Sequence, residues 1–257
     1  MSGHSHWASI KHKKGKADAQ RGKVFSRIGK QITIAARSGG DISMNSVLRA
    51  AVDAAREVNM PQENITRAIK KGTGELPGVT LEQCTYEAYG PGGIAFIIEM
   101  ITDNKNRASS EMKHIFSKFG GNLAAPGAAM RFFKKKGVAT ISIFKTEEKK
   151  EKFNEEELME ITINTGAEDF RMEDEECALI ARVEDFNKVK EALKNKNIQI
   201  ISAKIEMLPE NPTPVADEKS AEKMLQLVEA LEEHDDVQDV YANFDIPDEL
   251  MDKLSQG

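Results

Sequence analysis

Five basic residues recur along residues 16–37 at intervals that would bring them to one side of a helix. At 100° per residue they fall within about 80° of one another. Long cationic side chains on a shared face can bind the phosphate oxygens of a nucleic acid. We call this set the basic stripe; it comprises Lys16, Lys23, Arg27, Lys30 and Arg37.

The segment that carries the stripe is strongly cationic as a whole. Residues 1–37 hold nine Lys and Arg and one acid, Asp18. Four further basic residues complete the predicted nucleic-acid-binding set, namely Lys11, Lys13, Lys14 and Arg21. The alternative is a solvated amphipathic helix, but solvated faces normally mix both signs of charge. A membrane-surface helix would carry several bulky aromatics beside its basic face, and only Phe25 qualifies.

Trp7 is the only tryptophan, and it stands among histidines in the basic arm of residues 1–16. It could stack on a nucleic-acid base, so we include it among the candidate binding residues. It could equally anchor the arm to the helices that follow. His4 and His6 have no acid or cysteine near enough in sequence to complete a metal site, so neither a metal nor a cofactor is predicted.

Signatures of catalysis are missing from the sequence. No Ser–His–Asp or Cys–His arrangement can be assembled locally, and Gly22–Lys23 lacks the spacing of a phosphate-binding loop. The acidic runs have no metal-ligand spacing and are typical of a solvated face. The sequence therefore predicts a protein that is not an enzyme and takes no small-molecule substrate.

Charge is distributed very unevenly along the 257 residues. The net charge of −6 conceals +8 in residues 1–77 (14 basic, 6 acidic), +4 in residues 78–145 (9 against 5) and −18 in residues 146–257 (13 against 31). Such asymmetry favours a polyanionic partner for the basic part.

The cellular location follows from what the sequence lacks. No apolar run approaches the roughly 18 residues of a membrane helix, and the basic N-terminus has no secretory apolar core. Cys84 and Cys177 have no CxxC spacing, which favours reduced thiols. We expect a cytoplasmic protein with no membrane partner.

Hydrophobic periodicity predicts three N-terminal helices. The first runs from Ala17 to Arg37, with Val24, Phe25, Ile28, Ile32 and Ala35 on its apolar side. The second spans roughly residues 45–58, and the third begins near Pro61 and ends at Gly72. Residues 72–78, GTGELPG, are typical of a linker.

The rest of the chain changes to mixed α and β patterns. A hairpin around the turn GPGG (90–93) precedes a helix over about 106–119. Residues 137–206 give a β-α-β-β-α-β series, the order of a ferredoxin-like unit, with its first strand at 138–144. A helix (220–233), a strand (237–244) and a short helix follow.

These patterns predict an α+β protein of three domains. Residues 1–77 would form a basic helical domain with an N-terminal arm. Residues 78–136 and 208–257 would form a discontinuous α/β domain. The acidic ferredoxin-like unit, 137–207, would be inserted into it.

Several long motifs make the sequence resemble the YebC/PmpR family of bacterial regulators. They are GHSHWASIKHKKGKADAQRGK (3–23), ITIAARSGGD (32–41), NMPQENITRAIKKGTGE (59–75), YEAYGPGGIA (86–95), TDNKNR (102–107) and FSKFGGNL (116–123). The resemblance implies a helical domain followed by two α/β domains, one inserted in the other. It also implies a non-enzymatic cytoplasmic protein, usually described as a DNA-binding transcriptional regulator, although relatives act as translation factors on the ribosome. The start at residue 1 leaves no room for a mitochondrial leader, which favours a bacterial member.

The sequence departs from the family pattern at three places. His6 and Gln20 stand where the family commonly has Lys, which weakens two expected phosphate contacts. Residues 124–133, AAPGAAMRFF, differ from the usual run, so any role of that loop is in doubt.

Three functions therefore stay open at the level of sequence. The first is a duplex-DNA regulator, although no helix-turn-helix with a base-reading face is evident. The second is a ribosome-bound translation factor that contacts ribosomal RNA with its basic part. The third is a protein-interaction adaptor that uses the acidic part.

Overall fold

The structure is a computed structural model that describes residues 17–145, 151–173 and 175–256. These residues form two compact units. One contains residues 131–214 and 243–248, and the other contains residues 17–130, 215–242 and 249–256. The mixed α+β class predicted from the sequence is confirmed.

Three helices begin the described chain: α1 (Ala17–Ala36), α2 (Ser46–Glu57) and α3 (Gln62–Thr73). They share an apolar core whose most buried large members are Ile32, Leu48 and Ile65. Asn45 caps α2 by accepting from the Leu48 N–H, and its amide donates to the carbonyls of Ala35 and Gly39. One side chain therefore joins the end of α1 to the start of α2.

A four-stranded sheet follows in the same unit. Its strands are β1 (Glu82–Tyr89), β2 (Ala95–Thr102), β3 (Asn122–Leu123) and β9 (Val237–Ala242), in the order β3-β1-β2-β9. Neighbouring strands are antiparallel, with a bulge in β2 between Glu99 and Met100. Helices α4 (Lys105–Lys118) and α7 (Glu218–Glu232) belong to this unit, and Phe116 of α4 meets Phe96 of β2 edge to face at 5.5 Å.

The unit that contains residues 131–214 has the predicted ferredoxin-like topology. Its elements are β4 (Phe133–Ser142), α5 (Glu155–Thr165), β5 (Asp169–Glu173), β6 (Glu176–Ala181), α6 (Phe186–Asn195) and β7 (Ile200–Pro209). The antiparallel order β5-β6-β4-β7 is that of the split β-α-β fold. The chain also forms β8 (Thr213–Pro214), β10 (Phe244–Asp245) and a last helix, α8 (Asp248–Gln256).

Element boundaries differ most from the predictions in two places. Strand β4 begins at Phe133, five residues before the predicted Val138, because residues 133–137 pair with residues 205–209 of β7. Lys134 and Lys136 form ion pairs with Glu210 and Glu168. The predicted strand 237–244 is divided at Asn243, so β9 and β10 lie in different sheets.

None of the helices in the described ranges combines the length and apolarity needed to span a bilayer. The division into a separate helical domain, a discontinuous domain and an inserted domain stays a prediction.

Candidate nucleic-acid interface

Helix α1 has an apolar side, a side that packs against α3 and a basic side. The predicted apolar side packs into the helical core through Phe25, Ile28, Ile32 and Ala35, while Val24 is 36% exposed. A second side lies against α3 at Gly72. A Cβ atom built on Gly72 would lie 2.4 Å from the Thr33 carbonyl oxygen and 2.6 Å from the Ala36 Cβ. The helices can approach this closely only because residue 72 has no side chain.

The basic side of α1 faces the C-terminal end of α7. Lys23 Nζ donates to the Glu233 carbonyl at 3.3 Å, and Arg27 donates to the Glu232 carbonyl. Lys30 Nζ donates to the Asp235 carbonyl at 2.9 Å. The last carbonyls of a helix lack intrahelical partners and carry partial negative charge, so cations are favourable there.

Asp236 completes the set of oxygens that the stripe contacts. Its carboxylate accepts from Lys30 at 2.6 Å, from Arg107 at 2.7 Å and from the Thr102 hydroxyl at 2.8 Å. Burial raises the pKa of Asp236, but the hydrogen bonds from Lys30, Arg107 and Thr102 outweigh it and hold the pKa at about 2. We call these four acceptors the acceptor cluster: the carbonyls of Glu232, Glu233 and Asp235, and the carboxylate of Asp236.

Glu111 and His234 lie beside Asp236 and could in principle complete a metal-binding group. The Asp236 N–H donates to His234 Nδ1 at 3.1 Å, so His234 Nε2 carries the proton and donates to Glu111 at 2.9 Å. Lys30 and Arg107 already neutralise Asp236 and would repel a metal ion. We therefore interpret this group as a hydrogen-bonded ion cluster.

The remaining predicted contact residues have different surroundings. Arg21 of α1 and Arg37, the first residue after this helix, are exposed. Arg21 lies over the Phe25 ring at 5.8 Å. Five predicted contact residues lie outside the described residues, namely Trp7, Lys11, Lys13, Lys14 and Lys16.

Comparison with known proteins identifies the family of this chain. The profile of the TACO1/YebC protein N-terminal domain matches residues 5–75, and that of the TACO1/YebC second and third domain matches residues 81–244. The chain belongs to the TACO1/YebC family. The resemblance seen in the sequence motifs is confirmed.

Similar proteins cover this YebC-family chain from end to end. A protein of Syntrophobacter fumaroxidans is 50% identical over 99% of this chain and 100% of its own length. One of Syntrophus aciditrophicus is 51% identical with the same coverage. Both carry the name "Probable transcriptional regulatory protein". The crystal structure of a conserved hypothetical protein from Aquifex aeolicus matches with a TM-score of 0.83 and 45% identity, over 95% of this chain and 98% of that one.

Two residues of the YebC-like motif TDNKNR (102–107) contact Asp236. Thr102 and Arg107 donate to its carboxylate, and Asn104 caps α4 by accepting from the Arg107 N–H. Nothing in the sequence connects this motif with the basic stripe. In the fold, both contact the same carboxylate.

The loop of residues 124–133, which departs from the family pattern, contacts Glu87 of β1. Glu87 is buried in β1 and accepts from the backbone N–H groups of Gly127, Ala129 and Met130 at 2.6 to 2.8 Å. Burial raises the pKa of Glu87, yet these three N–H groups lower it overall. The unusual loop is therefore anchored by one carboxylate.

Basic residues on α3 were missed at the level of sequence. Arg67, Lys70 and Lys71 are exposed on the outer side of α3, and Arg67 pairs with Glu63 at 2.9 Å. Their spacing was visible, but cations in a last helical turn are also explained by the helix dipole. Their place beside α1 in the three-helix core makes them candidates for phosphate contact.

Proposed function

We propose that this YebC-family protein is a non-enzymatic, nucleic-acid-binding regulator of gene expression in the bacterial cytoplasm. The observation that carries the proposal is the +8 charge of residues 1–37, together with the exposure of Arg21 on α1 and of Arg37 just after it. Exposed cations attract phosphate by releasing counterions. The names of the relatives support a transcriptional role. Duplex DNA is the partner that we propose for that role.

Ribosomal RNA is the second candidate partner, and the outer face of α3 favours it. That face offers Lys70, Lys71 and an Arg67 already held by Glu63, long cations that can contact a phosphate backbone without reading base edges. Such a surface binds backbones irrespective of sequence. A translation factor that recognises folded RNA by shape needs no more.

The test compares two double variants that remove the same charge. Arg21→Ala/Arg37→Ala removes an exposed cation of α1 and another just after it, whereas Lys194→Ala/Lys196→Ala removes exposed lysines at the end of α6 and just after it. Binding is measured to a 20-base-pair DNA duplex and, by sedimentation, to bacterial ribosomes, each across a salt series. If both arginines contact duplex phosphates, the salt slope falls by about 2 and affinity drops on the order of tenfold. The lysine variant should bind as wild type does.

The outcomes separate the candidates. DNA binding that disappears at physiological salt, while ribosome binding persists, would reject the transcriptional role in favour of the translational one. Equal effects of the two double variants would remove the support for a specific basic interface. Absence of binding to both probes at low salt would reject the proposal.

A further inference from the structure

The cations that best match a phosphate-binding stripe already have oxygen partners within the chain. Lys23, Arg27 and Lys30 donate to three carbonyls and one carboxylate of the acceptor cluster. A cluster of oxygens with negative charge resembles what a nucleic-acid backbone would offer to the same side chains. The N–H groups engaged in this way, one each on Lys23 and Arg27 and two on Lys30, are not available to phosphate while these contacts are made.

The acceptor side holds its shape without α1. Asp236 also accepts from Arg107 and Thr102, and its own carbonyl accepts from the Ile101 N–H at 2.8 Å. If Lys30 left, the buried carboxylate would keep a cation and a hydroxyl as partners. Departure of the stripe therefore avoids the large penalty of an unpaired buried charge.

The helical bundle is also able to leave as a body. Its apolar cluster draws every member from residues 25–69, so no shared apolar core joins it to α7. The connection to β1 runs through exposed residues 74–80, including Gly74 in the left-handed region at φ 83°. Long polar side chains make the contact with the acceptor cluster, and they can exchange these oxygens for those of a phosphate.

We propose that the acceptor cluster competes with nucleic-acid phosphates for Lys23, Arg27 and Lys30, so that binding requires these side chains to leave the end of α7. This inference rests on the proposed function, because it assumes that a nucleic acid is bound. It adds an autoinhibitory contact: the free protein covers part of its own interface.

The first test changes the carboxylate. Asp236→Asn weakens the hold on Lys30 without touching the stripe, and Asp235→Asn is its control because that neighbouring side chain is exposed and contributes only its carbonyl. Both remove one negative charge. If about a tenth of the wild-type chains are open, Asp236→Asn should bind the DNA duplex or a ribosomal-RNA fragment up to about tenfold more tightly, and Asp235→Asn should not.

The second test needs no change in the acceptor cluster. Spin labels on Ser26→Cys and Glu229→Cys, in a chain carrying Cys84→Ser and Cys177→Ala, report the separation of α1 and α7 by pulsed EPR. Both labelled positions are exposed. Adding the nucleic acid that wild type binds best should shift the distance distribution to longer values.

Each result decides a different point. Tighter binding by Asp236→Asn together with a longer distance supports the competition. Normal nucleic-acid binding with an unchanged distance, or Asp236→Asn binding no more tightly than Asp235→Asn, overturns it and leaves the proposed function intact. If wild type and both variants bind no nucleic acid at low salt, the proposed function fails and the inference fails with it.

Discussion

Asp236 and Glu87 are both buried carboxylates, 6% and 8% exposed, yet they are stabilised in different ways. Asp236 is neutralised by side chains from α1 and α4, whereas Glu87 accepts only backbone N–H groups from one loop. Both arrangements favour the ionised form. The first joins distant parts of the chain, and the second fixes a single loop.

Acid should weaken the Asp236 network selectively. The folded-state pKa of Asp236 is about 2, below its ordinary 3.8, so its contribution is complete above about pH 4 and is lost as pH falls towards 2. At pH 7, Asp236→Asn should lower the free energy of unfolding by about 2 kcal/mol. Urea unfolding of wild type and variant between pH 7 and pH 2 measures the difference, which should shrink below pH 4. A difference that is constant with pH would contradict this assignment.

Even the closest replacement of Glu87 should destabilise the protein. Glu87→Gln leaves a neutral carbonyl oxygen for the N–H groups of Ala129 and Met130 and turns an amide NH2 towards the N–H of Gly127. We expect the free energy of unfolding to fall by about 1–3 kcal/mol. The control is Glu82→Gln, whose side chain is 51% exposed beside Lys105 and should change stability by less than about 1 kcal/mol. Equal losses in the two variants would argue against the buried carboxylate as the anchor of the loop.

At the scale of elements, periodicity predicted the three helices and the ferredoxin-like order, because each buries a face that recurs in the sequence. Strands β3 and β8 have two residues each and leave no periodic signal. The start of β4 was missed because three consecutive lysines, 134–136, look like loop, although two of them find acidic partners across the fold.

The candidate site could be predicted only in part, because the sequence does not show which distant residues a side chain contacts. Helical spacing brought Lys23, Arg27 and Lys30 to one side of α1. Their partners lie 205 to 210 residues away along the chain, and three of the four are backbone carbonyls, which carry no sequence signature. Sequence spacing predicts which residues share a face but not which element covers that face.

The contact of α1 with α3 gives a matched pair of glycine substitutions. Gly72→Ala would place a methyl group against the Thr33 carbonyl and Ala36, so we expect a loss of about 1–3 kcal/mol. Gly29→Ala in the middle of α1 meets no atom within 4 Å and should stabilise the protein by about 0.5–1 kcal/mol. Thermal unfolding of the two variants measures the two changes in stability, which should have opposite signs. A stabilising Gly72→Ala would mean that the helices are farther apart than described.

At the scale of the whole molecule, a basic N-terminal part and a strongly acidic C-terminal part have consequences beyond attraction to a polyanion. Residues 146–257 carry a net −18, and nucleic acid repels them. The basic N-terminal residues should therefore be the part of the chain that a nucleic acid attracts. The net charges follow from the sequence alone, but only the structure shows that part of the acidic segment, the end of α7 and Asp236, lies against the basic side of α1.

The basic arm, which includes the stripe residue Lys16, can be tested separately from the cations of α1. A chain that begins at residue 17 loses Lys11, Lys13, Lys14 and Lys16 while keeping all of α1. If each lysine contacts a duplex phosphate, the slope of log affinity against log salt falls by about 3.6, and less if only some do. Trp7→Ala in the full chain should leave the slope unchanged, because an indole releases no counterion. A circular-dichroism melt checks that the shortened chain folds. A shortened chain with the wild-type slope would show that the arm makes no phosphate contact, and the interface would then be confined to the helices.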